Sequence, residues 1–320
     1  VACLLAMLCT MRFVFLSSML GCAGGTEDVA ATCCAFAALL ADGSVVTWGF
    51  ASRGGDSTSV ANDLTSGVDV IYSTVNAFAA KKTDGSVVTW GESQYGGDSS
   101  SVASNLSSGV GVIYSNWYAF AAKKTDGSVV TWGNSQKGGD SSSVASDLSS
   151  EVDVIYGNIH AFAAKKTDGS VVTWGHPTRG GDSSSVASNL STGVDVIYCT
   201  DQAFAAKKTD GSVVTWGDSD NGGDSSSVAT NLSSGVDVIY SNGYAFAAKK
   251  TDGSVVTWGN SQKGGDSSSV ASDLSSGVDV IYSTDQAFAA KKTDGSVVTW
   301  GNPNHGGDSS AVADELRSGA

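Results

Sequence analysis

Apolar and polar residues alternate along this chain in a pattern that recurs every 42 residues, from Thr26 to Gly319. The second copy, Val68 to Gly109, shows the pattern clearly: a β-branched and aromatic run "VDVIYS", a small apolar run "AFAAKKT" and a third run "SVVTWG". Short runs of this composition, bounded by glycine and polar residues, are typical of strands. Each copy therefore predicts three short strands.

The connections between these runs predict how the strands pair. Asp84-Gly85 separates the second and third runs, and Asp-Gly adopts the positive φ that a tight hairpin needs, so these two strands are expected to be antiparallel. The remaining segment, "GGDSSSVASNLSSG", has capping residues followed by Val102 and Leu106. It predicts either a short outer helix or an irregular outer strand, and the sequence leaves both open.

The predicted sheet is apolar on both faces, with Val88 and Trp90 on one and Val87 on the other. A fixed period of this length indicates a repeat architecture, in which each unit buries its faces against its neighbours. We predict an all-β fold: a seven-bladed β-propeller of 42-residue, three-stranded repeats, forming one domain over residues 26–320. The most degenerate first strand, at 27–30, is where we expect the ring to close.

The repeated "DGSVVTWG", the upstream "SGVDVIYS" and the small apolar "AFAA" resemble the regulator-of-chromosome-condensation repeat, which forms seven-bladed propellers. In layout the chain is most similar to secreted bacterial β-lactamase-inhibitory propellers, and the resemblance covers all seven copies. Two differences from the family pattern leave the identity of the partner open. Lys81 stands where that family usually has Leu, and Gly-Gly-Asp replaces the family's Gly-Gln-Leu-Gly after the Trp-Gly pair.

Six lysines share the position of Lys81 and should lie near the packing between blades. Ammonium groups there need partners, and the carboxylates of "GGD" (Asp98 and its equivalents) or of "VDV" (Asp69 and its equivalents) are candidates. The other interpretation, which we favour, is that the lysines extend to solvent and pair weakly.

The formal net charge of −14 bears on the class of partner. An acidic surface repels phosphate backbones and anionic membranes, so we expect no nucleic-acid binding and no membrane-surface binding.

The first 25 residues lie outside the repeat and are apolar, with Arg12 as their one charge. Read from Met11, they have a basic start, the apolar run "FVFLSSML" and small residues before Thr26, which is the pattern of a secretory signal peptide. We therefore predict a leader over 1–25 and a secreted or cell-surface protein. A transmembrane helix and a gene-model artefact, with an intracellular protein, are the alternatives.

Three of the six cysteines lie in that leader, which leaves Cys33, Cys34 and Cys199 in the repeats. An odd number at non-repeating positions does not form a disulfide framework. We interpret them as drifted small residues, with a vicinal Cys33–Cys34 bridge or a free reactive thiol as the alternative.

The repeats differ mainly in two windows, one after "VIY" and one after the Trp-Gly pair. Because the strands alternate in direction, both windows should emerge at the same end of each sheet, opposite the Asp-Gly turns. Loops on a rigid scaffold commonly carry recognition, and aromatic residues are common binding anchors. The predicted partner-binding residues are Tyr95, Trp117, Tyr118, Ile159, His160, His176, Arg179, Asp201, Gln202, Asp220, Tyr244 and His305. Drift of unconstrained loops is the competing interpretation.

No catalytic or cofactor motif accompanies these windows. The sequence has no nucleophile elbow and no phosphate-binding glycine loop, and His160 with His176 alone makes a poor metal site. We predict a monomeric, non-enzymatic interaction module without cofactor, binding a protein or glycan. The alternative is an intracellular chromosome-condensation-type regulator, acting in nucleotide exchange or as a ubiquitin-ligase recognition propeller.

Overall fold

The structure of this protein, a computed structural model, describes residues 26–318, so the predicted leader at 1–25 lies outside the described residues. Each repeat forms one three-stranded antiparallel sheet in the order first, second, third strand. The first strands are β1 (Thr26–Ala31), β4 (Val68–Ser73), β7 (Val110–Ser115), β10 (Val152–Gly157), β13 (Val194–Cys199), β16 (Val236–Ser241) and β19 (Val278–Ser283). The segment at 27–30 thus belongs to a first strand, as predicted.

The second and third strands of each sheet form the predicted hairpin. The second strands are β2 (Ala35–Leu40), β5 (Ala77–Lys82), β8 (Ala119–Lys124), β11 (Ala161–Lys166), β14 (Ala203–Lys208), β17 (Ala245–Lys250) and β20 (Ala287–Lys292). The third strands are β3 (Val45–Gly49), β6 (Val87–Gly91), β9 (Val129–Gly133), β12 (Val171–Gly175), β15 (Val213–Gly217), β18 (Val255–Gly259) and β21 (Val297–Gly301).

The outer segment of each repeat contains a short 3-10 helix, so of the two alternatives the helical one is correct, and a second 3-10 helix precedes this segment directly after the Trp-Gly pair. The first set is Ala51–Arg53, Ser93–Tyr95, Ser135–Lys137, Pro177–Arg179, Ser219–Asn221, Ser261–Lys263 and Pro303–His305. The second set is Thr58–Leu64, Ser100–Val102, Ser142–Val144, Ser184–Val186, Ser226–Val228, Ser268–Val270 and Ser310–Val312, and α1 (Ala313–Ser318) follows the last. Leu106, just beyond the second helix of its repeat, is buried, and its carbonyl accepts from Val87 N.

The Asp-Gly-Ser turn is constant because it makes three kinds of contact at once. Gly85 has φ +79°, and an added Cβ would lie 2.8 Å from the main-chain N of Gly109, the last residue of the same repeat. Its carbonyl accepts from Val110 N at 3.0 Å, which ties each turn to the following blade. The Asp84 carboxylate accepts from the main-chain N and the hydroxyl of Ser86 at 2.9 and 2.7 Å.

The core lies between successive sheets, and the "AFAA" run explains how it is built. Ala77 and Ala79 of the second repeat pack in one cluster with Phe120, Trp132 and Leu106. The alternate residues of the same strand face the other way, so repeats 2 and 3 each present alanines to the next blade and a large aromatic pair to the preceding one. The predicted division of Val88 and Trp90 from Val87 between the two faces is correct.

Each large aromatic pair is a stacked Phe and Trp, such as Phe120 and Trp132 with centroids 5.1 Å apart. The indole N–H then donates to a glycine carbonyl of the preceding repeat. The six bonds are Trp90 to Gly54, Trp132 to Gly96, Trp174 to Gly138, Trp216 to Gly180, Trp258 to Gly222 and Trp300 to Gly264, at 3.0–3.1 Å. A buried indole N–H therefore has its partner in each of these repeats.

Repeat 1 carries the same Phe–Trp pair, but its two rings are not buried. Phe36 and Trp48 stack at 5.3 Å, but they are 45% and 47% exposed. Their counterparts in the six later repeats are 3% exposed or less. The side chains of repeat 1 therefore form an apolar surface.

Four of the six Lys81-type lysines pair with the "VDV" carboxylates, so for these four our expectation of solvent-directed ammonium groups is wrong. A bulge opposes Val68 to Lys82 and Val70 to Lys81, which leaves Asp69 unmatched in the strand ladder and beside the ammonium of Lys81. Equivalent ion pairs join Lys165–Asp153, Lys207–Asp195 and Lys249–Asp237 at 3.0–3.3 Å. These lysine side chains are only 13–18% exposed.

Several of these lysines also connect neighbouring repeats. Lys207 and Lys249 donate to the carbonyls of Asp237 and Asp279, each one repeat further on, at 3.0 Å. In repeat 3, where Gly111 replaces the aspartate, Lys123 donates to the carbonyl of Asp153 in the next repeat at 2.5 Å. The Lys81 position thus strengthens the junction between blades.

The fold class predicted from the sequence, an all-β chain of seven three-stranded propeller blades, is confirmed. The described chain divides into two compact units. One contains the described residues up to Thr167 with Val172–His176, and the other contains Asp168–Val171 with the described residues from Pro177 on. A single domain over 26–320 stays a prediction.

We predict that Gly138→Ala destabilises the protein more than Gly306→Ala. Both glycines follow a 3-10 helix, with φ of +102° and +96°, so an alanine at either meets similar backbone strain. At Gly138 the added Cβ also lies 2.5 Å from the Phe162 ring, whereas at Gly306 its nearest neighbour is Thr284 Cγ2 at 3.8 Å. Overpacking should add about 1–3 kcal/mol for Gly138→Ala, measured by urea unfolding. Equal losses of unfolding free energy in the two variants would contradict the proposed packing of Gly138 against Phe162.

The Asp-Gly-Ser turns predict acid-sensitive stability. Hydrogen bonds from the Ser86 hydroxyl and N–H lower the pKa of Asp84 below the ordinary value of 3.8. Because the folded-state pKa is the lower one, the ionised turn contributes stability that is present above pH 3.8 and lost as pH falls through the folded value. Asp84→Asn/Asp126→Asn/Asp210→Asn keeps an acceptor that does not titrate. The urea unfolding midpoint of this triple variant should fall less than that of the wild type between about pH 7 and about pH 2.5. An equal fall in both proteins would refute the role of these turns in acid sensitivity.

Candidate functional site

The two variable windows of each repeat lie together at one end of its sheet, as the strand directions predict. We call this the loop end of a blade; in repeat 2 it comprises residues 73–76 and 92–95. There Glu92 N donates to Asn76 O at 3.0 Å, and the Thr74 hydroxyl donates to Tyr95 O at 2.9 Å. Equivalent main-chain bonds join Asn134 N to Tyr118 O and Asp218 N to Gln202 O. The constant Asp-Gly turns occupy the opposite end.

Side chains from the two windows also form complementary pairs. Asn76 donates to the carboxylate of Glu92 at 2.8 Å. The residues at the same positions of repeat 7 are Gln286 and Asn302, which form an amide–amide hydrogen bond at 2.8 Å. In repeat 6 the ammonium of Lys263 lies 3.3 Å from the centroid of the Tyr244 ring. Residues that differ between repeats are thus matched within each of these blades.

Main-chain hydrogen bonds join the first windows of successive blades. Cys33 N donates to Val75 O at 2.8 Å, and Val75 N donates to Trp117 O at 3.1 Å. In the second unit Asp201 N donates to Gly243 O at 3.0 Å. Each of these bonds links equivalent positions of adjacent repeats, so the loops that carry the predicted site are held by the scaffold.

Four of the predicted residues form a continuous row of rings in the first unit. Tyr95 stacks on Tyr118 with centroids 5.3 Å apart and an interplanar angle of 29°. Tyr118 stacks in turn on His160 at 5.7 Å and 17°. His160 contacts His176 at 6.2 Å with a tilted ring. We call Tyr95, Tyr118, His160 and His176 the aromatic ladder; it spans the loop ends of three successive repeats.

The ladder combines ordered rings with accessible polar groups. Tyr95, Tyr118 and His176 are partly exposed, and His160 is buried beneath them. Burial raises the pKa of the Tyr95 hydroxyl, and the nearby Glu92 carboxylate raises it further, so this hydroxyl is a neutral donor at physiological pH. Such a surface offers ring edges and hydroxyls to a partner.

The other predicted residues lie at loop ends but outside the ladder. Trp117 and Ile159 belong to the same unit and are partly exposed. The second unit carries six more: Arg179, Asp201, Gln202, Asp220, Tyr244 and His305. Asp220 and His305 are exposed, and the others are partly exposed. Each lies in the window of its own repeat.

Sequence reasoning missed a side-chain cluster at the loop end of repeat 1. Cys33 and Cys34 are exposed free thiols, so the vicinal bridge is not formed. The Arg53 guanidinium donates from one nitrogen to both sulfurs, at 3.2 and 3.1 Å. The sequence did contain a signal for this cluster. When the windows of the repeats are aligned, Cys34 and Arg53 occupy the positions of Tyr244 and Lys263, which contact each other in repeat 6.

Two further findings concern the described residues. Nowhere within 26–318 do three His, Cys, Asp or Glu side chains come together in an arrangement that would hold a metal ion. No helix in that range is long and apolar enough to cross a membrane.

No protein-family model and no curated protein matches this chain. Solved structures similar to it include Prp20p from Saccharomyces cerevisiae, described with its binding to Gsp1p and histones (14% identity, 73% of this chain and 72% of that one, TM-score 0.42). Human WBSCR16 is similar at 14% identity over 75% and 77% of the two chains, with a TM-score of 0.43. The WD40 ectodomain of the receptor kinase ACR4 from Arabidopsis thaliana gives 13% identity over 87% and 96%, with a TM-score of 0.38.

Prp20p is the yeast RCC1 protein, so the family that the repeats resemble is represented among these structures. Identities this low carry no information about binding or activity. The finer resemblance to β-lactamase-inhibitory propellers stays a prediction.

Proposed function

We propose that this chain is a non-enzymatic interaction module that binds a protein partner through the loop ends of its blades, with the aromatic ladder as the main contact. The observation that carries the proposal is the row of rings from Tyr95 to His176, built from positions at which the repeats differ. Constant positions supply the scaffold beneath it. Aromatic residues held on a rigid support are typical of the central contacts in protein interfaces.

The stacking within the ladder favours a protein over a glycan. A sugar binds an aromatic side chain through an open ring face, but the Tyr118 ring already stacks with both Tyr95 and His160. Its edge and its hydroxyl remain for a partner, and these suit the amides and side chains of a protein surface.

The support of the loops favours tight binding. The main-chain bonds from Cys33 through Val75 to Trp117 already fix the first windows, and the paired side chains of Asn76 and Glu92 fix both windows of repeat 2. Loops that are ordered before a partner arrives lose little conformational entropy on binding. The geometry is therefore that of a preorganised surface.

We predict that Tyr95→Ala/Tyr118→Ala weakens binding of the partner at least about tenfold, because truncating central aromatic contacts commonly costs 2 kcal/mol or more. The full chain, immobilised, would be used to retain proteins from its native source. Retained proteins would then be titrated against the wild type and the variant by surface plasmon resonance.

The matched control for this experiment is Thr83→Ala/Thr125→Ala, which alters two exposed residues at the turn ends of the same repeats. It should bind like the wild type. A partner that binds the tyrosine variant and the wild type equally would refute the proposed surface, as would a partner lost only in the threonine control. Retention of glycans but no protein would refute the proposed partner class.

We also propose that the protein acts outside the cell or at its surface, supported by the signal-peptide pattern of residues 11–25. Expressed in its native host with a carboxy-terminal tag, the mature protein should be recovered from the secreted or surface fraction. Its amino-terminal sequence should begin close to Thr26. An intracellular protein that retains residues 1–25 would contradict this and favour the chromosome-condensation-type alternative.

A further inference from the structure

The cluster at the loop end of repeat 1 has the features of a reactive dithiol. Cys33 and Cys34 are free and exposed, and their sulfur atoms are within hydrogen-bonding distance of each other, at 2.9 Å. A nucleophilic cysteine needs both access and a way to hold its thiolate form, which a neighbouring arginine supplies. Here Arg53 Nη1 lies 3.1 Å from the Cys34 sulfur and 3.2 Å from that of Cys33.

The surroundings hold Arg53 and the two sulfurs in this arrangement. The guanidinium carbon lies 5.3 Å from the centroid of the Phe50 ring, and the Arg53 carbonyl accepts from the Thr32 hydroxyl at 3.1 Å. The carbonyl of Cys34 accepts from Phe50 N at 2.8 Å. The arginine is thus fixed by its side chain and by its main chain.

The two cysteines have different partners, and this distinguishes their roles. Asn76 donates through its amide nitrogen to Glu92, so its amide oxygen faces Cys33 and accepts from that thiol at 3.1 Å. Burial and the neighbouring thiol raise the pKa of Cys33. Hydrogen bonds from Cys33 and Arg53 lower the pKa of Cys34. Cys34 is therefore the more acidic thiol of the pair, and Cys33 the less acidic one.

We propose that Cys33 and Cys34 form a thiol–disulfide exchange site for low-molecular-weight disulfides, with Cys34 as the attacking nucleophile and Cys33 as the resolving thiol. The guanidinium beside both sulfurs favours this chemistry over capture of a metal cation, because it would repel a positive ion at the same place. This site is separate from the proposed partner contact and does not depend on it.

The exchange balances in two steps. The Cys34 thiolate attacks one sulfur of the small disulfide RSSR, forms Cys34–S–S–R and expels RS⁻. Cys33 then loses its proton to solvent and attacks the Cys34 sulfur, which expels the second RS⁻. The cysteine pair loses two electrons to the disulfide, and the products are a Cys33–Cys34 disulfide and two RSH after protonation.

The product is expected to be easily reduced again. Consecutive Cα atoms lie about 3.8 Å apart, below the roughly 4.4–6.8 Å at which most disulfides form. A bond between neighbouring cysteines is therefore strained, and strained exposed disulfides have more oxidising potentials. The exchange should run backward when the small thiol is in excess.

The test uses the full chain, reduced and freed of reductant, and treated with oxidised glutathione. Peptide mapping by mass spectrometry follows the segment that contains residues 33 and 34. The wild type should pass through one glutathione adduct on Cys34 to an internal disulfide, which reduced glutathione reverses. Cys33→Ser should stop at the Cys34 adduct, and Cys34→Ser should react at least about threefold more slowly.

The role of Arg53 is tested by the pH profile of alkylation. Arg53→Gln should slow iodoacetamide alkylation of Cys34 at neutral pH by at least about threefold and move its pH midpoint upward, which a merely structural role would not do. Lys137→Gln changes the equivalent position of repeat 3 and should leave the alkylation rate and its pH midpoint unchanged. Equal reactivity of the two cysteines, no effect of Arg53→Gln, or a stable adduct without an internal disulfide would each overturn the proposal.

Discussion

The packing of a Phe–Trp pair from one blade against the alanines of the preceding blade determines most of this structure. Ala77 and Ala79 leave room for Phe120 and Trp132, and the Trp132 indole donates to a glycine carbonyl of the earlier repeat. Repeats 2 and 3 therefore each insert an aromatic pair against the preceding blade and accept the pair of the next one. This explains why "AFAA", "VVTWG" and "GG" vary so little: a change at any of them alters two junctions.

The same constraint does not act on the loop ends, so their residues differ between repeats. Within a blade, however, the residues of the two windows are matched to each other. The first and second windows of a blade contact each other, so a residue in one needs a compatible residue in the other. Asn76 with Glu92, Gln286 with Asn302 and Lys263 with Tyr244 are three different solutions to that requirement.

Much of the fold could be predicted from the sequence because its determinants are local and repeated. The Asp-Gly turns, the strand runs and the two apolar faces each follow from a few neighbouring residues. The sequence named Asp69 as one candidate partner of Lys81 but could not select it, because the pairing depends on a bulge that places Asp69 beside the lysine. In the same way, Tyr95 and Tyr118 belong to different repeats, and only the spacing between blades shows that they stack. The windows that contain them were predictable, and the contacts were not.

The dithiol and the aromatic ladder are connected through a short series of contacts. The Cys33 thiol donates to the Asn76 oxygen, the Asn76 nitrogen donates to Glu92, and Glu92 raises the pKa of Tyr95, the first ring of the ladder. A cysteine in a disulfide has no S–H to donate, so oxidation of Cys33 removes the bond that fixes the Asn76 amide on that side. The dithiol and the first ring of the ladder are therefore joined by Asn76 and Glu92 within a single unit of the chain.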